Sequence, residues 1–253
     1  PGKRHSRNHR CNMPSKKNKL KAIRKKRERK FIWKKIMDTE HLYRVKEGDL
    51  ERLRKILTEC FADDPLYHTL IPNDAARERL LPELFSCDLT EFFQTCEIYG
   101  DSPELNGLLV VADETEHYHA LHNWMTQLKS QILTDGYLIR EDPSLQTFWN
   151  FVLGKDYLNS RWTDQLHQTD RIHIIYLAVA PLMQHHGLAE KLMNEVIRYA
   201  QSHKLMISLE THNPHNVPIY EHFGFKLYGV VKKKSFDLEQ FCMVWEPKAD
   251  LDI

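Results

Sequence analysis

Between Pro181 and the helix-forming run that begins at Leu188 the chain reads Gln184-His185-His186-Gly187-Leu188-Ala189. A loop of this kind presents consecutive backbone N–H groups, which the first turn of a helix leaves unpaired and which carry about half a positive charge. That arrangement holds an anion such as a diphosphate with little help from basic side chains. Gly187 can take a positive φ or let a phosphate approach the backbone, and Ala189 keeps the start of the helix thin. By itself the loop is equally a plain connection between a strand and a helix. A second group, His117, His119 and His122, suggests metal ligands, but no Cys or acid stands at matching ligand spacing. It reads as a solvated helix face, and no metal is expected. The five cysteines, Cys11, Cys60, Cys87, Cys96 and Cys242, contain no CxxC pair and read as reduced thiols rather than a disulfide framework or zinc ribbon.

The elements that must position the loop follow from periodicity. His41 to Lys46 predicts a strand, and Glu47 to Phe61 places Leu50, Leu53, Leu57, Cys60 and Phe61 on one helical face. Phe61 to Pro72 breaks helical order with two prolines, and a second helix is expected over Asn73 to Leu89, with Pro82 inside it. Thr95 to Tyr99 and Leu108 to Ala112 read as a hairpin across the turn-rich segment from Gly100 to Gly107. Residues 113–168 carry helical spacing at Trp124, Leu128 and Ile132 and again at Trp149, Val152 and Leu153, which predicts a mostly helical insertion. Arg171 to Ala180 is the strongest strand, apolar and β-branched as in a central strand buried on both faces. Leu188 to Ala200 has one apolar stripe, and Leu205 to Thr211 is the next strand. A turn over Asn213 to Pro218 leads to a short helix that stops at Gly224, and Phe225 to Val231 with Phe236 to Trp245 closes the domain as a hairpin.

One strand-helix-strand unit separates the loop from the segment Leu209 to Phe225, LETHNPHNVPIYEHFGF. The two together resemble the GNAT superfamily of acyl-CoA-dependent N-acyltransferases. Gln184, Gly187 and Ala189 match that family's loop pattern [RQ]-x-x-G-x-[GA]; LAVAP, Leu177 to Pro181, resembles its fourth strand and exit; NVPIYEHFGF resembles its closing Asn, Tyr and GF motif. Tyr43 to Pro72 is also similar to the N-terminal strand and helix of bacterial members, which places the domain at residues 37–253. The implied fold is α/β in the broad sense (α+β): a mixed, twisted sheet of six or seven strands flanked by helices, with a helical insertion before the central strand.

The resemblance also implies roles. The loop formed by Gln184, His185, His186, Gly187, Leu188 and Ala189 would bind the diphosphate of acetyl-CoA, the co-substrate, and backbone groups of Leu177, Ala178 and Val179 would pair with the pantetheine arm as an added strand. That pairing needs a free edge, which the family provides by splaying its fourth strand from its fifth at a bulge. Asn216 would hydrogen-bond the cofactor arm or cap the short helix, and Tyr220 would protonate the departing thiolate. For the proton of the attacking amine the candidates are Glu210, His173 and Tyr176, with Glu210 favoured because burial raises a carboxyl pKa. A structural carboxylate bonded to backbone is the other reading of Glu210, and a water chain could serve in place of any single base. Strand alternation groups His173 with Ile175 and Leu177, and Tyr176 with Ile174 and Ala178. Where members commonly carry glycine and then Lys or Arg in the loop, this chain has His185 and His186, a change that the backbone donors survive.

The expected function is therefore N-acetyl transfer from acetyl-CoA to a primary amine, with a small molecule favoured as acceptor. A protein N-terminus or lysine is the alternative within catalysis. A non-catalytic acyl-CoA-binding module is the alternative outside it. Sixteen of the 36 Lys/Arg but only one of the 35 acids fall in residues 1–35, so a +15 arm precedes a body of −14. Residues 1–36 read as a basic, disordered extension, and nucleic-acid binding would run through that arm alone. No run approaches the roughly 20 apolar residues of a membrane-spanning helix and no secretory signal is visible, so the expected location is cytoplasmic, with no membrane partner. A homodimer is compatible with the sequence.

Overall fold

The computed structural model describes residue 37 and residues 39–113, 137–154, 157–158, 160–168 and 170–248. The basic arm, the histidine group at 117–122 and the helical spacing at Trp124, Leu128 and Ile132 lie outside the described residues. Leu53, Ile56 and Leu57 are buried at helical spacing along α1 (Leu50–Phe61), which follows β1 (Tyr43–Arg44) and a short 3-10 turn. The proline-broken stretch after α1 contains a further helix, α2 (Pro65–Leu70), not expected from its two prolines. Pro65 occupies the first turn, where its missing N–H costs nothing, and the Asp64 side chain caps the helix by accepting from Leu66 N. Helix α3 (Asp74–Thr95) also outruns its expected end at Leu89, because Leu89 and Phe92 continue the buried face of Leu81 and Phe85. The strand expected from Thr95 therefore starts at Glu97.

Strands β2 (Glu97–Gly100) and β3 (Gly107–Asp113) form the expected antiparallel hairpin. Of the insertion, the described part is helical: α4 (Tyr137–Glu141), α5 (Gln146–Leu153) and a 3-10 turn over Arg161–Gln165. Then come β4 (Arg171–Val179), α6 (Leu188–His203), β5 (Met206–Thr211), α7 (Val217–His222), β6 (Lys226–Lys232) and β7 (Glu239–Trp245). The seven described strands make one mixed sheet in the order β1-β2-β3-β4-β5-β7-β6, in which only β4 and β5 run parallel, joined by the crossover through α6.

Helices cover both faces. On one, Leu53 and Leu57 of α1, Leu70 of α2 and Leu80 and Phe85 of α3 pack on Leu108, Val110 and Ala178. On the other, Leu192, Met193 and Val196 of α6 pack on Leu109, Ile172, Ile174, Ile207 and Leu209. Beneath the insertion, Trp162 and Leu166 pack with Met206, Cys242 and Val244.

The centre of the sheet is not a continuous ladder. Arg171 to Ile174 pair with Met206 to Leu209, but the last residues of β4, Ile175 to Val179, have no partner on β5. On its other side β4 stays paired with β3 to Val179, across a register shift: Val110 faces Tyr176 while Val111 faces Ile174. Ile175 is thus an extra residue, a bulge that bends and twists β4 away from β5. Meanwhile β5 turns its remaining length to β7, pairing Glu210 with Cys242 and Thr211 with Phe241.

Candidate functional site

The bulge resets which groups face where. Ile172, Ile174 and Leu177 belong to the α6-side core, whereas the successive residues Ile175 and Tyr176, with Ala178, lie on the α1–α3 side. The simple alternation expected from the sequence is corrected accordingly. Tyr176 shares a face with Ala178 but not with Ile174, and Leu177 is on the face opposite His173, whose ring meets Ser208. One inserted residue inverts every side chain after it.

The same parity sorts the backbone. Ala180 N donates to Asn106 O at 2.8 Å on the β3 side. In an antiparallel ladder alternate residues bond to a given neighbour, so Ala178 and Tyr176 also direct their amide and carbonyl groups to β3. Leu177 and Val179 direct theirs into the gap that β5 has left. Of the three residues expected to pair with an extended ligand, two are so oriented and Ala178 is not. Val179 O accepts from Cys60 Sγ at 3.1 Å and Gln184 Nε2 at 3.3 Å.

At the end of β4 the loop carries its donors outward. His185 and Gly187 both have left-handed backbone, φ 64° and 78°. Among the described residues, 185–190 donate no backbone hydrogen bond, and the first α6 amide to find a carbonyl is Lys191, which donates to Gly187 O at 2.9 Å. The His186 ring, through Nδ1 2.8 Å from Gln184 O, braces the turn. Gln184, His185, His186 and Gly187 are exposed, with Leu188 and Ala189 half-buried behind them. The loop therefore has both the donors and the access that a diphosphate needs.

Across the gap, α7 supplies Tyr220. Its half-buried ring packs 6.0 Å from Phe225, and the chain turns back after it through Gly224 at φ 89°. The Tyr220 hydroxyl has no hydrogen-bond partner among the described residues, and its pKa is pushed up to about 12, by burial first and by the charge of Asp64 second. At neutral pH it is a proton donor. Asn216 makes no side-chain cap for α7; its Nδ2 donates to Thr211 Oγ1 at 3.2 Å, which fixes it at the end of β5.

The candidates for proton uptake differ from what their residue types suggest. Glu210 is half-buried, and its desolvation alone would raise its carboxyl, as expected from the sequence. The charge of His173 and hydrogen bonds from His173, Ser160 and Trp162 outweigh the burial and hold it below the ordinary value. One carboxylate oxygen accepts from Ser160 Oγ, while the other accepts from Trp162 Nε1 at 3.1 Å and lies 3.3 Å from His173 Nε2. His173, 1% exposed, is closed off by Ser208 Oγ at 2.8 Å and Ser160 Oγ at 3.3 Å. Tyr176 donates to Asp88 Oδ2 at 2.7 Å, and burial, with the Asp88 charge second, raises its phenol well above the ordinary value. These three groups tie the insertion to β5 and α3 to β4.

A residue not singled out from the sequence stands in the site instead. Asp64 is half-buried, and its carboxyl pKa is pushed up to about 6 by desolvation, against the Leu66 N–H and His68, which pull it down. Its charge reaches Tyr220. Asp before Pro reads as an ordinary helix cap, and no spacing marks it as more.

Among the described residues no group of three or more His, Cys, Asp or Glu could hold a metal ion, and no helix is long and apolar enough to cross a membrane.

Comparison with known proteins gives a consistent result. Residues 151–225 match the family described as Acetyltransferase (GNAT) family. An uncharacterized N-acetyltransferase of Schizosaccharomyces pombe is 26% identical over 218 residues, covering 82% of this chain and 83% of that protein. Among solved structures, a protein of Corynebacterium glutamicum described as histone acetyltransferase HPA2 and related acetyltransferase superposes with a TM-score of 0.54 at 16% identity, over 84% of this chain and 98% of that one. Arylalkylamine N-acetyltransferase 2 of Aedes aegypti gives 0.51 at 12% identity, over 82% and 98%.

Proposed function

We propose that the chain, whose residues 151–225 match the acetyltransferase (GNAT) family, acetylates the primary amine of a small molecule by direct attack on acetyl-CoA. The observation that carries this reading is the end of β4–β5 pairing at Ile174 and Leu209, which leaves Leu177 and Val179 with backbone groups turned into a slot. An extended arm with amide groups can bond there as an added strand, and the residue 185–190 amides at the end of the slot suit its diphosphate.

Within the slot each residue has a task. Leu177 and Val179 orient the arm so that its thioester lies near Tyr220. A strand amide aimed at the thioester oxygen stabilises the charge that develops there when nitrogen attacks. Tyr220, kept protonated by burial, gives its proton to the sulfur as the C–S bond breaks. Asn216, fixed by Thr211, stands at the same wall and can bond the arm.

The test is release of thiol from acetyl-CoA against a panel of small amines and, separately, peptides with free N-termini or lysines. Turnover with small amines supports the reading. Turnover with peptides alone makes the acceptor a protein, and acetyl-CoA binding with no turnover on either panel leaves only a binding module.

A further inference from the structure

We propose that Asp64 takes the proton from the acceptor's ammonium group, standing on the turn between α1 and α2 that crosses the open half of β4 opposite Tyr220. This rests on the acetyl-transfer reading and deepens it by assigning the second proton of the reaction. The turn is fixed at both ends over the unpaired part of β4. Cys60 Sγ reaches Val179 O at 3.1 Å, the Phe61 ring lies 5.3 Å from the Tyr176 ring, and Tyr67 Oη is 3.5 Å from Tyr176 Oη. Asp64 falls between these anchors in the chain, and its charge reaches Tyr220.

The carboxylate is divided in use. Oδ1 accepts from Leu66 N at 2.9 Å and caps α2, while Oδ2 has no hydrogen-bond partner among the described residues. Among the described residues neither Glu210 nor Asp88 offers this. Both oxygens of Glu210 are engaged with Ser160, Trp162 and His173, and Asp88 lies 3% exposed beneath Tyr176. The titratable groups around Asp64 are His68 and Tyr67 of α2, Cys60 of α1, Tyr176 of β4 with Asp88 of α3 behind it, and Tyr220 of α7; exposed Asp63 lies 3.6 Å from His68 Nε2. A carboxyl poised near pH 6 can accept a proton at neutral pH and release it to water.

The protons balance. An alkylammonium loses one to Asp64, which frees the nitrogen lone pair; nitrogen bonds to the thioester carbon and the C–S bond breaks. Sulfur takes the Tyr220 proton, the phenolate recovers the second proton from nitrogen, and Asp64 discharges its own to solvent. One proton is released per turnover, with amide and free thiol as products.

The experiment uses the full chain and Asp64→Asn, because Asn caps a helix as well as Asp and so preserves α2 while removing the base. Thiol release from acetyl-CoA with the best amine of the panel is followed from pH 5 to 9, with acetyl-CoA affinity measured by calorimetry. The expected result is a loss of about 100-fold in kcat/KM, disappearance of the limb near pH 6, and acetyl-CoA affinity within about twofold of wild type. Asp64→Glu is expected to restore the limb. Asp64→Asn with kcat/KM within about threefold and an unchanged limb overturns the proposal and leaves Asp64 a cap. Wild-type protein that binds acetyl-CoA but acetylates no amine overturns the acetyl-transfer reading and this proposal together.

Discussion

Glu210 and Asp64 are both half-buried carboxylates, yet their surroundings move them in opposite directions. Around Glu210, burial is answered by the charge of His173 and by hydrogen bonds from His173, Ser160 and Trp162, and the carboxyl is held below its ordinary value. Around Asp64, burial is answered mainly by one backbone N–H, and the carboxyl rises to about 6. A carboxylate with every lone pair engaged is a fastener; one left partly unmatched is available for chemistry. Both are half-buried carboxylates, so the charge and the number of donors that surround each decide.

The largest expected effect removes what faces Asp64 without touching either carboxylate. Tyr220→Phe keeps the ring beside Phe225 but removes the donor. It should lower kcat by about 100-fold or more while leaving acetyl-CoA binding within about twofold, as compared by steady-state rates and calorimetry. A variant that keeps its rate would place the acid elsewhere and remove the reason for setting Asp64 opposite it.

Next in size is a crossed pair of substitutions. Glu210→Gln leaves Ser160 and Trp162 competing for one acceptor and puts an amide donor among donors. Disrupting a buried, hydrogen-bonded group of this kind costs about 2–4 kcal/mol in denaturant unfolding. The linkage has a definite sign: the folded pKa of Glu210 lies below the unfolded one, so its contribution is present above the ordinary carboxylate range and lost as pH falls through the folded value. Wild type should therefore lose stability on acidification below about pH 4, and Glu210→Gln should lack that component. Its limb near pH 6 in kcat/KM should stay in place.

Asp64→Asn should do the reverse. The folded pKa, about 6, lies above the unfolded one, so the folded protein holds the extra proton and stability falls as pH rises from the ordinary carboxylate value through about 6. Replacing Asp64 by the neutral amide should stabilise the protein at pH 7–8 by about 1–2 kcal/mol, allowing for its partial exposure. Gaining stability while losing activity is the signature of a group kept strained for use. Two variants that both lose stability, or both lose activity, would collapse the distinction.

Much of this site was legible in the sequence, and what was not has a physical reason in each case. The loop from Gln184 to Ala189 was readable because helix ends and glycine leave local signals, and the succession of strands and helices along the chain followed largely from periodicity. The bulge was not. Ile175 is β-branched and apolar like its neighbours, and nothing in residue type marks it as extra; its effect appears only in the register of Val110 and Val111. Glu210 was singled out for desolvation, which is real, but the groups that reverse its pKa are His173 on β4 first and then Ser160 and Trp162, about 50 residues away in sequence. Asp64 was passed over because Asp-Pro signals a helix cap, a role it also fills.

The smallest expected effect tests the donor half of the site alone. At φ 78° Gly187 has the left-handed backbone that other residues adopt at a cost, and an added Cβ would meet nothing within 4 Å. Gly187→Ala should therefore lose only about 1 kcal/mol of stability from backbone strain. Gly224→Ala should lose a similar amount, because at φ 89° it carries the same backbone strain while its Cβ would only reach ordinary van der Waals contact, 3.4 Å from the Trp245 ring. The open space around Gly187 adjoins the residue 185–190 amides, so a methyl there crowds a bound diphosphate. Acetyl-CoA affinity should fall further than stability does, while the limb near pH 6, set by Asp64 on the opposite wall, should not move. Equal losses in melting and in calorimetry would reduce Gly187 to a backbone hinge. An unchanged acetyl-CoA affinity would mean that the diphosphate does not rest on these amides, whatever the two carboxylates do.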